Sequence, residues 1–302
     1  MTVTDTRPMR KPRSSDHARG QASLLIKGRD RTGIVAAVTT VLSRHAANIV
    51  SLDQYSDDPQ GGTFFQRTVF SVDNLATVLP EIDADLTAAL GDGFDLDFTL
   101  RDMSVSKRVA IFASKSDHCL LDLLWRHRRG ELPVEVAMVI SNHTDTAEEV
   151  RSFGIPFFHV TSAGPDKSEA EAEHLRLLKG NVDFIVLARY MQILSGDFIR
   201  EVAVPIINIH HSFLPAFIGA GPYAKAKARG VKLIGATAHY VTEDLDEGPI
   251  IEQDVVRVTH ADTAADLQRR GADVERAVLS RAVAWHSEDR VMRHENHTVV
   301  FA

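Results

Sequence analysis

Hydrophobic and polar positions change rhythm once along this chain, near residue 105. From Ser23 to Gly28 the apolar residues cluster as in a strand; after the polar loop Arg29-Asp30-Arg31, the spacing of Val35, Val38 and Leu42 predicts a helix over 32–45. Ile49 to Tyr55 and the alternating run Thr63 to Val72 read as two strands, joined as a hairpin through a turn that carries Gly61-Gly62. A second amphipathic helix over 75–90 stops at Gly91, and Phe94 to Leu100 alternates as a fourth strand. The order βαββαβ is the ferredoxin-like plan.

From Arg108 short apolar runs alternate with helical stretches. Strands are expected at Val109–Ala113, Val134–Ile140, Phe157–Val160, Phe184–Leu187 and Pro205–His210, with helices over 119–129, 147–153 and 169–179. Runs that are apolar on both faces and separated by helices predict a mostly parallel sheet covered on both sides, an α/β domain. Gly235–Tyr240 and Ile250–Val258 add two strands, and a long helix follows from about Thr263 to His286, with Asp262 or Thr263 as N-cap. The reading is therefore a polar, disordered tail over 1–20, a small domain over 21–102 and a larger domain over 107–302.

Composition narrows the function classes. The chain has 302 residues and a formal net charge of -7, with no basic block after residue 20, so nucleic acid is not an expected partner. No apolar run approaches the ~18 residues of a membrane span, and the tail lacks the core of an export signal. One cysteine, Cys119, allows neither an intrachain disulfide nor a thiolate cluster, which points to the cytoplasm. Its leucine-rich helix suggests a buried structural thiol. His294-Glu295-Asn296-His297 is one residue short of a zinc-protease motif, and no phosphate loop, dinucleotide fingerprint or serine elbow occurs. No metal and no cofactor are expected.

Ligands of open α/β sheets bind beyond the carboxyl ends of the strands. There, Asn208 and His210 share one face of their strand, with Ile209 and His211 on the other. An amide donor and an imidazole in one crevice suit polarising a carbonyl, or else are strand-end residues held in ordinary hydrogen bonds. In the acidic loop 242–247, Glu243, Asp244 and Glu247 read as a solvated turn with Gly248-Pro249, whereas Asp246 could orient His210 and accept a proton from water.

These residues carry a resemblance. Asn208-Ile209-His210-His211-Ser212-Phe213-Leu214-Pro215-Ala216-Phe217, Gly235-Ala236-Thr237-Ala238-His239-Tyr240-Val241 and Asp246-Glu247-Gly248-Pro249-Ile250-Ile251 resemble the formyltetrahydrofolate deformylase family, and Gly28 to Val35 resembles the entry loop of an ACT domain. The resemblance implies an N-terminal ACT domain before a Rossmann-like formyltransferase domain. It further implies hydrolysis of 10-formyltetrahydrofolate to formate and tetrahydrofolate, with Asn208, His210 and Asp246 catalytic. Arg189, Met191, Gln192, Ile193 and Leu194 resemble the family's pterin-contacting loop, and Gly248 joins them as a substrate-binding candidate. Where related transferases carry a glycine-rich phosphate loop, this chain reads Ala113-Ser114-Lys115-Ser116-Asp117-His118-Cys119, in keeping with water as acceptor. Gly221 and Ala224 stand where the family usually has Asn and His. The ACT likeness implies a homo-oligomer, dimer or tetramer, and an amino-acid effector near Asp30, Gly33 and Ile34. The alternatives are a folate-dependent formyltransferase acting on an amine, and an amino-acid sensor with a weakly active hydrolase domain.

Overall fold

The structure is a computed structural model that describes residues 20–58, 60–92, 94–162, 167–215 and 221–302. Residues 1–19 of the tail expected over 1–20 and the motif residues Ala216 and Phe217 lie outside the described residues.

The chain divides into two compact units. The first contains β1 (Gln21–Arg29), α1 (Ile34–Arg44), β2 (Asn48–Ser56), β3 (Thr63–Ser71), α2 (Leu75–Leu86) and β4 (Leu96–Asp102). Its sheet order β2-β3-β1-β4 is antiparallel throughout, the arrangement that βαββαβ predicts. Alternation along β1 and β3 sends Ala22, Leu24, Ile26, Phe64 and Phe70 to one face. There they meet Ile34, Val38, Val41 and Leu42 of α1 and Ile82 and Leu86 of α2. The second helix was expected to run to residue 90; instead it widens at Thr87 into a π-helical turn that ends at Asp92, while Leu90 stays buried.

The second unit begins at Lys107. It contains β5 (Lys107–Ala113), α3 (His118–Arg128), β6 (Val134–Ser141), α4 (Ala147–Ser152), β7 (Phe157–His159), α5 (Ser168–Leu178), β8 (Phe184–Ala188), α6 (Gly196–Val202) and β9 (Ile206–His210). α7 (Pro222–Arg229), β10 (Leu233–Tyr240), β11 (Ile250–Arg257) and α8 (Ala264–Ser287) follow. The sheet order is β11-β10-β9-β8-β5-β6-β7, parallel from β7 to β9, with β10 and β11 antiparallel at the other edge. β8 is buried at all five residues, as a strand covered on both faces must be. From β5 the chain winds outward to β7, then returns to place β8 on β5's other side. That switch point leaves a crevice above the carboxyl ends of β8 and β9.

α8 starts as expected, and Thr263 rather than Asp262 is its cap. Thr263 Oγ1 accepts from Asp266 N at 3.2 Å, while Asp266 Oδ2 accepts from Thr263 N at 2.9 Å, a reciprocal capping box. β12 (Val291–His294) and β13 (His297–Val300) form a terminal hairpin, with His294 and His297 flanking its turn.

Residues 288–292 and 299–302, assigned by sequence to the larger domain, belong to the first unit. The cause is polar: Arg67 donates to the carbonyls of Glu288 and Asp289, and Ser23 Oγ donates to Asp289 Oδ2 at 2.8 Å. Among the described residues no helix is long and apolar enough to cross a membrane.

Candidate active site

β9 carries Asn208 and His210 to the crevice, and β10 runs antiparallel beside it with Thr237 opposite His210 and His239 opposite Asn208. Asp246 reaches the same place from the loop between β10 and β11, in a left-handed conformation with φ 58°. His210 Nδ1 lies 3.2 Å from Asp246 Oδ2, and His239 Nε2 lies 3.7 Å from Asp246 Oδ1. Asn208 Nδ2 is 3.2 Å from His239 Nε2, so one connected cluster holds an amide, two imidazoles and a carboxylate. His210 Nε2 is buried without a protein partner.

The electrostatics of the cluster favour an ionised carboxylate. The hydrogen bond from His210 holds the Asp246 carboxyl below its ordinary range, overcoming partial burial, and the neighbouring imidazoles add to the effect. Burial lowers the His239 pKa, which keeps that ring neutral. Burial, followed by the nearby charge of Arg189, lowers His211 to about 4.

A cavity of about 260 Å³ opens over these groups. All five pterin-loop candidates, Arg189 and Met191 to Leu194, line it, together with Asn208 to His211, His239 and Val241 to Asp246. Loop 189–194 is held in shape by its surroundings. Arg189 and Met191 take left-handed backbone conformations, Lys167 Nζ donates to Ile193 O at 3.0 Å, and Glu171 accepts from Ser195 N and Oγ. Met191 and Ile193 are exposed at 60% and 61%, free to meet an apolar ligand, whereas Leu194 is packed in the core. Glu243 and Asp244 are exposed, as a solvated turn should be, yet they sit at the cavity mouth, where Arg200 pairs with Glu243.

Other candidates fall elsewhere. Gly248 does not line the cavity; a Cβ there would stand 1.8 Å from Tyr240 O, so close backbone approach demands glycine. Arg189 turns its guanidinium to Glu275, with Nε 3.5 Å from Oε2. That buried carboxylate also accepts from Tyr223 Oη at 2.6 Å and faces His118 Nε2 at 2.9 Å. His118, Cys119 and Glu275 are the one group of potential metal ligands among the described residues, and the Glu275 oxygens are already engaged by these neighbours. Burial pushes the Cys119 thiol well above its usual range, away from a nucleophilic thiolate. Asp30, Gly33 and Ile34 line a separate open hollow in the first unit, with Tyr55 and Ser56. Gly221 caps α7 in a left-handed conformation, and Ala224 lies on that helix.

The sequence reading missed His239 as a site residue and placed His211 on the far face. Alternation ends with β9 at His210, so His211, one residue beyond, also lines the cavity. The signal for His239 was available in β10, where Thr237 and His239 interrupt the small apolar residues of a buried strand at a spacing of two.

An α/β sheet with an Asn, His and Asp cluster beyond its strands, and a ferredoxin-like unit preceding it, is the arrangement that the sequence resemblance implies for a folate-dependent formyl-handling protein with an ACT domain. Matching family models bear this out: ACT domain over residues 22–87 and Formyl transferase over 107–283. Formyltetrahydrofolate deformylase of Mycobacterium bovis is 60% identical over 278 residues, covering 92% of this chain and 90% of the relative. The same-named protein of Bacillus subtilis is 51% identical, covering 92% and 93%. A crystal structure of a formyltetrahydrofolate deformylase from Pseudomonas syringae superposes with a TM-score of 0.89 at 47% identity, covering 93% of this chain and 94% of that one. The chain belongs to the formyltetrahydrofolate deformylase family.

Proposed function

We propose that this protein hydrolyses 10-formyltetrahydrofolate to formate and tetrahydrofolate through Asn208, His210 and Asp246. Water adds to the formyl carbon, the carbonyl oxygen takes negative charge, and the C–N10 bond then breaks as N10 gains a proton. Asn208, through its amide N–H, stabilises the developing oxyanion, and His210 joins it through Nε2–H when the ring is protonated at both nitrogens, since Nδ1 donates to Asp246. Asp246 positions water and His210 and relays the proton from the attacking water toward N10. The pterin ring occupies the crevice of loop 189–194, where Met191 and Ile193 offer apolar contact and the backbone offers hydrogen bonds. The observation that carries this reading is the ionised Asp246 carboxylate facing His210 at 3.2 Å beside the Asn208 amide.

The reaction needs no resident cofactor or metal, and we place it in the cytoplasm. The ACT unit pairs with a second copy through the β2 edge, where Val50 and Tyr55 are exposed at 53% and 49%, and an amino acid binds its hollow near Asp30, Gly33 and Ile34. The test is isotopic. In ¹⁸O-enriched water the released formate carries one solvent oxygen; formyl transfer to an added amine with no labelled formate refutes hydrolysis and favours the amine-acceptor alternative.

A further inference from the structure

Amides present either N–H or C=O, and which one Asn208 turns to the substrate decides whether it stabilises an oxyanion or repels it. Two contacts and the burial of one ring settle that choice. His239 Nδ1 lies 3.1 Å from the backbone carbonyl of Tyr240, which can only accept, so Nδ1 must carry the proton. The ring is 2% exposed, and burial favours its neutral form, which leaves Nε2 as a bare lone pair. That lone pair faces Asn208 at 3.2 Å. An amide oxygen there would set two lone pairs against each other, so the nitrogen of Asn208 takes the position. The antiparallel register fixes the meeting, because Asn208 and His239 are direct cross-strand partners on adjacent strands.

We infer that His239 is a positioning residue whose single tautomer locks the Asn208 amide with its second N–H directed at the formyl oxygen. The inference rests on the hydrolytic reading above and adds to it a group that never touches the reacting atoms. Charged and titratable neighbours that face the ring are Asp246, with Oδ1 at 3.7 Å, and His210 beyond it. Asp246 Oδ1 stands beyond hydrogen-bond distance of Nε2, which leaves the Asn208 amide as that nitrogen's partner.

Two variants test this. His239→Gln retains a donor for Tyr240 and an acceptor for Asn208 in one planar group; His239→Leu retains neither. Losing an oxyanion donor costs about 10²- to 10³-fold in turnover. His239→Leu is therefore expected to lower kcat by about 10- to 100-fold with KM within about threefold, and His239→Gln to recover most of that loss. Because the two residues act as a unit, His239→Leu combined with Asn208→Ala is expected to be no slower than Asn208→Ala alone. A folded His239→Leu protein with normal kcat, or losses that multiply in the double variant, overturns the inference. If both variants unfold, ring nitrogen resonances of the wild-type protein decide the matter: a protonated Nδ1 and bare Nε2 at His239 support it, and the opposite tautomer overturns it. A wild-type protein that releases no formate overturns the hydrolytic reading instead, a result distinct from any of these.

Discussion

His174 offers a prediction whose size follows from its surroundings. The ring is 1% exposed on α5, packed between Phe112, Tyr190 and Phe198, and neither Nδ1 nor Nε2 has a partner. Burial lowers its pKa from 6.5 to about 4. A folded-state pKa below the unfolded one means that this contribution to stability is fully present above pH 6.5 and is lost as the pH falls toward 4. At pH 7.5 both states hold a neutral ring and the difference is negligible. At pH 5 the unfolded ring is almost wholly protonated and the folded ring is not, which is worth about 2 kcal/mol. His174→Leu keeps a similar volume and removes the titration, so urea denaturation at pH 7.5 and pH 5 should give a double difference of about 2 kcal/mol in the variant's favour. Both tryptophans, Trp125 and Trp285, lie in the second unit, so their fluorescence follows the unit that contains His174. His211, also lowered to about 4, is common to both proteins and cancels. A double difference near zero would mean that the ring is solvated or hydrogen-bonded in the folded state, and the argument from burial would fail.

Other perturbations have equally definite outcomes. Asp246→Asn keeps the shape of the carboxylate and removes its charge; kcat should fall by about 10²-fold or more, and circular dichroism should be unchanged. Gly248→Ala drives a Cβ against Tyr240 O, and calorimetry should show a loss of about 1–3 kcal/mol together with reduced activity as the Asp246 loop shifts. Glu275→Leu strands the Arg189 guanidinium without its carboxylate, and a loss of about 3–5 kcal/mol in denaturant unfolding is expected.

Local pattern revealed the elements whose signal is local. β8 is an unbroken apolar run, β9 alternates isoleucines with Asn208 and His210, and α8 has a capping box followed by a long periodic face, so each was legible without a partner. α6 was not: seven residues that open on Gly196 give too short a period, and the Ser195 cap reveals itself only through its bond from Phe198 N. α7 was hidden by its lysines and arginine, and its apolar contacts, Tyr223 and Ala226, become a face only against Leu267 of α8. β12 and β13 are four-residue strands, too short for a period to stand out before they pair.

The site divides in the same way. Asn208 and His210 could be paired by strand alternation, because both lie on one strand. His239 needed the register between β9 and β10, and Glu275 needed the meeting of α8 with loop 189–194; both are long-range facts that no window of sequence contains. Gly248 also serves the fold through backbone clearance, a property set by Tyr240 eight residues earlier and invisible in its own motif.

The central claim is that water is the acceptor at the Asn208, His210 and Asp246 cluster. Its most direct test is formate release from 10-formyltetrahydrofolate in amine-free buffer, measured for the wild-type protein and for Asn208→Ala. The account predicts one formate per tetrahydrofolate from the wild-type protein and a rate about 10²- to 10³-fold lower from a folded Asn208→Ala variant. A folded wild-type protein that forms no formate, or an Asn208→Ala variant that forms it at the wild-type rate, would contradict the account.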